Sequence, residues 1–245
     1  MATIEENINR LKSAKANIKS AIISKGVEVD NSLTLDAYAE KISNIVVNQY
    51  TGDTISVGDY GMKFAYATWE AIPSFLSFSN AWDWEGMFYR CQNLKQAEVN
   101  ISLAMVCFNT FCECSKLQKV VLNSDNSDIS IVDTISMFNG CTSLSSLTIN
   151  GRWASVTQTY TMFAGCSSLT DLKGSALWYA SVDLSPCPLT EASLVNMLNW
   201  LNDFTSPSSR AMEEYQGTLT LGSTNLAKLT EAQIAVATNK GWTLA

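Results

Sequence analysis

"MFNGCTSLSSLTIN" (Met137–Asn150) and "MFAGCSSLTDLKG" (Met162–Gly174) are nearly the same stretch of sequence written twice. Two less regular copies lie before them. Aligned on Phe-x-x-Cys, the four copies contain the pairs Phe88/Cys91, Phe111/Cys114, Phe138/Cys141 and Phe163/Cys166. The phenylalanines recur at intervals of 23, 27 and 25 residues, which indicates a tandem structural repeat.

Further positions of the repeat are also shared. A leucine follows each cysteine by three residues, and two apolar positions separated by one residue come next. The shared positions are Leu94, Leu117, Leu144 and Leu169; then Ala97/Val99, Val120/Leu122, Leu147/Ile149 and Leu172; then Asn100, Asn123 and Asn150. Residues three apart lie on one side of a helical turn, whereas alternating apolar residues face one side of a strand.

Such a unit cannot bury its apolar side alone, but stacked copies can, because neighbouring strands pair and their inward residues form continuous ladders. A period in the twenties is typical of leucine-rich solenoids. We therefore expect an α/β solenoid, in which one helical turn and one short strand make each coil.

The cysteines and asparagines of the repeat are expected to be structural. Each cysteine occupies an equivalent site where a small apolar side chain fits a tight turn. Disulfides between neighbouring coils and a reactive thiol are the alternatives. The asparagines are predicted to form a ladder of amides that caps backbone groups of the turns.

The two regular copies resemble the BspA-like leucine-rich repeats of bacterial surface proteins, whose units often read MF-x-x-C-x-S-L. The resemblance covers about Trp69 to Gly174. It implies a right-handed solenoid used for adhesion or partner binding, without catalysis. The chain differs from this pattern in being short and in lacking the secretion signal expected of a cell-surface member.

The N-terminal residues follow a heptad spacing instead. Ile4, Ile8, Leu11, Lys15, Ile18 and Ile22 form a seam in which Lys15 is the one polar position. Isoleucine at both seam positions favours a trimeric coiled coil. A single amphipathic helix packed on its own domain is the alternative, and Gly26 is the expected helix end.

A second N-terminal helix is predicted over Leu35–Ile45, with Thr34 as its cap. The segment "IKSAIISKGVEVDNSLTLDAYAEKISNI" (Ile18–Ile45) resembles a short helical module near the N-termini of phage and prophage tail or other virion proteins. The resemblance implies a virion association and assigns no functional residue.

The C-terminal segment is predicted to close the repeat stack. Thr190 and Thr230 are expected to cap two helices, and "GTLTLG" (Gly217–Gly222) alternates like a strand. "LTLGSTNLAKLTEAQIAVATNKGWTLA" resembles the terminal segment of BspA-like proteins. The predicted domains are thus an N-terminal helical segment (1–50), the repeats (51–180) and an α+β cap (181–245).

Composition argues against several classes of function. The net charge of −7 disfavours nucleic-acid binding, and the absence of histidine removes the commonest general base and metal ligand. No apolar run is long enough for membrane insertion. No nucleotide, metal or catalytic motif is found, and the acidic loop residues Asp125, Asp128 and Asp133 lack an EF-hand pattern. We expect no cofactor and no enzymatic activity.

Aromatic residues outside the consensus are the candidates for ligand binding, because exposed rings beside polar groups suit sugars or protein surfaces. The alternative is that they pack the back of the solenoid or seal its ends. The candidates are Trp82, Trp84, Tyr89, Arg152, Trp153 and Tyr160.

The sequence thus predicts a non-enzymatic binding protein. The first hypothesis is a homotrimeric virion fibre or tail component, assembled in the bacterial cytoplasm with other virion proteins, which contacts a host-surface glycan or protein. The alternative is a monomeric, secreted BspA-like adhesin on the bacterial cell surface.

Overall fold

The structure, a computed structural model, describes residues 12–20, 62–73, 76, 78, 81–124, 131–153, 156–175, 177–206 and 217–245. The chain divides into two compact units, one of Met1–Asp53 with Pro73–Leu76 and one of Thr54–Ile72 with Ser77–Ala245.

In the first unit, residues 12–20 form a helix, α1. Of the predicted seam, Lys15 is half-buried and Ile18 is exposed within this helix. Ile4, Ile8, Leu11 and Ile22 lie outside the described residues, as does the predicted helix Leu35–Ile45. The trimeric coiled coil therefore stays a prediction.

The second unit is built on short parallel strands. They are β1 (Gln96–Asn100), β2 (Lys119–Asn123), β3 (Ser146–Ile149), β4 (Arg152–Trp153), β5 (Asp171–Gly174), β6 (Leu177–Trp178), β7 (Val182–Asp183), β8 (Thr218–Thr220) and β9 (Thr243–Leu244). One sheet has the order β1-β2-β3-β5, β4 pairs with β6, and a third sheet has the order β7-β8-β9.

The four-stranded sheet pairs equivalent residues of consecutive repeats, as the alignment predicts. Ala97, Val120, Leu147 and Leu172 are matched across the sheet and are all buried. The consensus leucines and phenylalanines are buried beside them. Phe88, Phe111, Phe138 and Phe163 stack in a column, with ring centroids 5.2, 5.7 and 5.8 Å apart.

The Phe-x-x-Cys segment is a turn rather than the predicted turn of helix. Residues two before and two after each phenylalanine have positive φ, for example Ser136 (55°) and Gly140 (76°), which an α-helix excludes. The backbone N–H groups therefore alternate between two kinds of acceptor. Cys141 N–H donates to Phe138 in its own turn, at 3.0 Å, whereas Phe138 N–H donates to Met162 in the next repeat, also at 3.0 Å.

A further copy of the turn, with alanine in place of cysteine, precedes the four predicted ones. Met62 and Tyr66 have positive φ on either side of Phe64, and Ala67 N–H donates to Phe64 at 3.1 Å. The ring of Phe64 stacks on that of Phe88 at 5.9 Å. An alignment that requires cysteine misses this copy.

The consensus cysteines are buried free thiols, which confirms that they belong to the core. Each donates its thiol hydrogen to the phenylalanine carbonyl of the preceding turn. The pairs are Cys91–Phe64 (3.2 Å), Cys114–Phe88 (3.1 Å), Cys141–Phe111 (3.0 Å) and Cys166–Phe138 (3.2 Å). Burial raises the pKa of Cys166 to about 12 and holds the pKa of Cys141 well above its ordinary value.

The asparagine ladder is present, and within the described part of the chain Asn100 acts as the expected cap. Its side-chain oxygen accepts from Ser102 N–H at 2.9 Å. Asn150 Nδ2 donates to Asn123 Oδ1 at 3.0 Å, and Asn123 Nδ2 donates to Glu98 at 3.2 Å. The side chains of successive repeats therefore bond to one another more than to the turns.

The C-terminal segment contains three helices, α2 (Glu191–Trp200), α3 (Gly222–Leu226) and α4 (Glu231–Asn239). Helices α2 and α4 are the predicted capped helices, whereas the short α3 was not predicted and has no side-chain cap. Thr190 accepts from Ser193 N–H, and Thr230 forms a capping box with Gln233. Ser193 Oγ accepts from Leu172 N–H at 2.9 Å and donates to Thr170 O at 3.0 Å. Helix α2 therefore satisfies backbone groups at the β5 edge of the sheet.

Candidate ligand-binding surface

One surface of the repeats exposes a row of apolar side chains. Trp82, Met105 and Val132 lie six residues before the phenylalanines of three consecutive repeats. Met105 N–H donates to Trp82 O at 2.7 Å, and Val132 N–H donates to Met105 O at 2.9 Å, so the three residues are in register. Their exposed fractions are 36%, 44% and 38%. We call them the apolar row.

Acidic side chains accompany the apolar row. The next position in each repeat, occupied by Asp83, Val106, Asp133 and Gln158, forms a parallel ladder of backbone bridges. Asp83 and Asp133 each accept a backbone N–H two residues further on, at 2.8 Å. In the described residues 82–85, 105–108, 132–135 and 157–160 the charged side chains are Asp83, Glu85 and Asp133, with no lysine or arginine.

Tyr160 stands between two grooves at one end of this surface, and 77% of its surface is exposed. The first groove has a volume of about 400 Å³ and is lined by Ile135, Val156, Thr157, Gln158, Thr159, Tyr160, Tyr179, Ala180 and Ser181. The second has a volume of about 410 Å³ and is lined by Thr159, Tyr160, Thr161, Phe163, Ala164, Ser181, Val182, Asp183, Pro186, Thr218 and Thr220.

A third groove, of about 400 Å³, lies at the other end of the repeats, beside Tyr66. Arg90 forms a bidentate ion pair with Glu113, at 2.7 and 3.0 Å, and its guanidinium lies 5.1 Å from the centre of the Tyr89 ring. The carboxylate raises the pKa of Arg90. Because the cation is already engaged by Glu113, this groove offers little free charge to a ligand.

The structure gives the predicted aromatic candidates different positions. Trp82 and Tyr160 are exposed, and Tyr89 is half-buried against Tyr66 at a ring distance of 5.7 Å. Arg152 and Trp153 form β4, but their side chains lie outside the described residues.

The prediction for Trp84 is wrong. Its ring is fully buried, 5.0 Å from Phe78 and 6.3 Å from Phe88, and its indole N–H donates to Ala81 O. The alignment contains the reason, since Cys107 and Thr134 occupy the equivalent position and are also fully buried. Trp84 belongs to the core.

Met105 and Val132 are not among the candidates predicted from the sequence, because those are aromatic residues together with Arg152. The repeat alignment does contain the signal. Once Trp82 is taken as exposed, its equivalents six residues before the later phenylalanines are expected to be exposed too.

Among the described residues, no group of three or more histidine, cysteine, aspartate or glutamate side chains has a geometry that could hold a metal ion. In the same part of the chain, no helix combines the length and apolar character needed to cross a bilayer.

Comparison with known proteins identifies the repeats. A family model described as the BspA type leucine rich repeat region matches residues 85–178 in six copies. This confirms the BspA-like resemblance over those residues, implies a solenoid-like fold and suggests a binding or adhesin-type repeat protein. The match does not extend to the segment Ile18–Ile45. No curated protein and no solved structure matches the chain.

Proposed function

We propose that the chain is a non-enzymatic, adhesin-type binding protein with a right-handed solenoid, and that the apolar row holds a protein ligand. The observation that carries the proposal is the alignment of Trp82, Met105 and Val132, three exposed apolar side chains at equivalent positions of consecutive repeats. Exposed apolar groups that lie side by side mark interaction surfaces more often than scattered ones do.

The charges beside the apolar row specify the chemistry of the ligand. Glu85 is exposed and Asp133 is half-buried, whereas Asp83 is buried. Glu85 and Asp133 therefore make this surface acidic, and the described residues of the surface include no cation to balance them. A ligand segment that combines apolar side chains with lysine or arginine would be complementary in both respects. Phe108 and Ile135, half-buried beside the row, widen the apolar area such a segment could cover.

Selection from a displayed library of random peptides on the immobilised full chain tests this proposal. We expect enriched peptides to contain apolar residues together with lysine or arginine. Their binding should weaken as salt increases, because the charges lie at the surface.

A variant with Trp82→Ser, Met105→Ser and Val132→Ser should bind these peptides at least tenfold more weakly, since a buried aromatic anchor commonly contributes about 2 kcal/mol. Leu103→Ser is the matched control, because Leu103 is apolar and 47% exposed but lies outside the row. Equal binding to the triple variant, or enrichment of acidic peptides, would contradict the proposal.

A homotrimeric virion fibre or tail component is the second candidate. It is favoured by the resemblance of Ile18–Ile45 to virion proteins and by the heptad seam, which would present several copies of the apolar row to a host surface. The molar mass in solution distinguishes the candidates, since a trimer favours the virion role and a monomer favours the cell-surface adhesin.

A further inference from the structure

Tyr160 is the last of a second set of equivalent positions, distinct from the apolar row. Phe108, Ile135 and Tyr160 each lie three residues before a repeat phenylalanine, and the first two are half-buried. After the fourth repeat the next turn is the short segment Leu184–Cys187, in which Cys187 N–H donates to Leu184 O at 3.0 Å. No equivalent side chain follows Tyr160 in this short turn, and the Tyr160 ring consequently projects from the end of this second set.

The two grooves beside this ring share Thr159, Tyr160 and Ser181, so they form a continuous site. Each has a volume of about 400 Å³, within the range of small-molecule sites. A ligand of two or more linked rings could therefore occupy both grooves and pass over Tyr160.

The polar groups of the site can both accept and donate hydrogen bonds. Thr157 donates its hydroxyl hydrogen to Val132 O at 3.3 Å, and Thr159 donates to Ser181 O. Their oxygen lone pairs are left for a ligand. The Asp183 carboxylate, which accepts Ser185 N–H at 2.9 Å, is exposed in the second groove and adds further acceptor capacity. The linings also contain donors, namely the Gln158 amide and the hydroxyl groups of Tyr160 and Ser181, so the site suits a ligand whose groups both donate and accept hydrogen bonds.

The charge of the lining residues restricts the class of ligand further. Asp183 is the one charged residue among the described residues that line the two grooves, and neither lining includes a lysine or arginine. An anionic ligand would meet repulsion from Asp183, and the described lining residues supply no cation to compensate it. A hydroxylated ring supplies groups that both donate and accept hydrogen bonds, together with an apolar face for the tyrosine.

We propose that the grooves beside Tyr160 bind a neutral oligosaccharide, with the Tyr160 ring as the platform between two sugar residues and Asp183 as acceptor for hydroxyl groups. This site adjoins the apolar row at Ile135 but does not include Trp82, Met105 or Val132, and it goes beyond the proposed protein-binding function. The chain would thus recognise a sugar and a protein segment at different positions on the repeats.

A glycan array with neutral, sialylated and sulfated oligosaccharides tests the proposal on the full chain, followed by calorimetric titration of the bound glycans. We expect neutral oligosaccharides to bind. Tyr160→Ala should weaken binding at least tenfold, Tyr160→Phe should retain most of it, and Asp183→Asn should weaken it several-fold. Tyr66→Ala is the matched control, since Tyr66 is an exposed tyrosine beside a groove at the other end of the repeats.

Three results would overturn the saccharide proposal: no glycan binds, only sialylated or sulfated glycans bind, or Tyr160→Ala binds as the parent chain does. An unchanged melting temperature of Tyr160→Ala would show that the loss is local. The triple variant of the apolar row should keep glycan binding, and Tyr160→Ala should keep peptide binding, so the failure of either proposal can be recognised separately.

Discussion

The thiol of Cys141 donates a hydrogen bond to the carbonyl oxygen of Phe111, one repeat earlier, across 3.0 Å. The same bond recurs at each consensus cysteine, so the cysteine links a turn to the turn before it. Burial between two turns therefore favours a small side chain that donates a hydrogen bond, whereas Ala67, at this position in the first copy, is half-buried and has no donor. Small size and a hydrogen-bond donor together explain why cysteine recurs at this position.

Cys141→Asp should lower the free energy of unfolding by several kcal/mol, because it buries a carboxylate that faces a carbonyl oxygen. Cys141→Ala should cost about 1 to 3 kcal/mol, since Phe111 O loses its donor. Cys141→Ser is the matched control because it retains a donor. Urea unfolding of the full chain measures all three, and an aspartate variant as stable as the parent would show that the site is not buried.

The thiols of Cys107, Cys166 and Cys187 should be unreactive in the folded chain. Burial raises the pKa of Cys166 to about 12 and also raises the pKa of Cys107 and Cys187, so almost no thiolate is present at neutral pH. We expect slow alkylation of these three cysteines by iodoacetamide in native buffer and reaction of all seven cysteines in denaturant, measured by mass spectrometry. Rapid native labelling of Cys166 would contradict this expectation.

Gly174 should be intolerant of any side chain. Its φ is +130°, and a Cβ there would lie 1.9 Å from Ile149 O. Gly174→Ala should therefore cost more than about 2 kcal/mol, measured by thermal unfolding. Gly165→Ala is the matched comparison, because its Cβ would meet its nearest neighbours at 3.4 Å and only the φ of +76° is unfavourable, at about 1 kcal/mol. Equal losses in the two variants would argue against the close approach at Gly174.

The N-terminal seam is tested by light scattering. If the chain is a trimer, Ile8→Asp with Ile18→Asp should convert it to a monomer while the repeats stay folded, because charges in the seam cannot be desolvated. Ser13→Asp with Asn17→Asp adds the same charge at exposed positions of α1 and should leave the mass unchanged. Unfolding of the whole chain by the seam variant would contradict an independent N-terminal segment.

Where one residue decides a local structure, the sequence was sufficient to predict it. Thr190 and Thr230 cap helices as expected, since a hydroxyl in front of an amphipathic segment has a specific role there. The alternating apolar pairs likewise form strands, because their period matches only an extended chain on a buried sheet face.

The remaining features depend on neighbouring repeats, and no single segment contains that information. Some backbone N–H groups of the Phe-x-x-Cys turn donate to carbonyl groups of the next repeat. The turn therefore has positive φ values in place of the helix that the spacing suggests. The exposure of Tyr160 depends on the short turn that follows, and the burial of Trp84 depends on Phe78 and Phe88. These are properties of packing rather than of local pattern.

The alternation of N–H acceptors has a consequence for folding and for evolution. Half of the donors in each turn find their acceptor only when the adjacent repeat is in place, so a lone repeat is unstable and the stack should fold cooperatively between nearest neighbours. A change that adds or removes one whole repeat preserves every such bond, whereas the loss of a few residues within a turn breaks a ladder on both sides. The chain is therefore expected to lengthen and shorten by duplication and deletion of complete units.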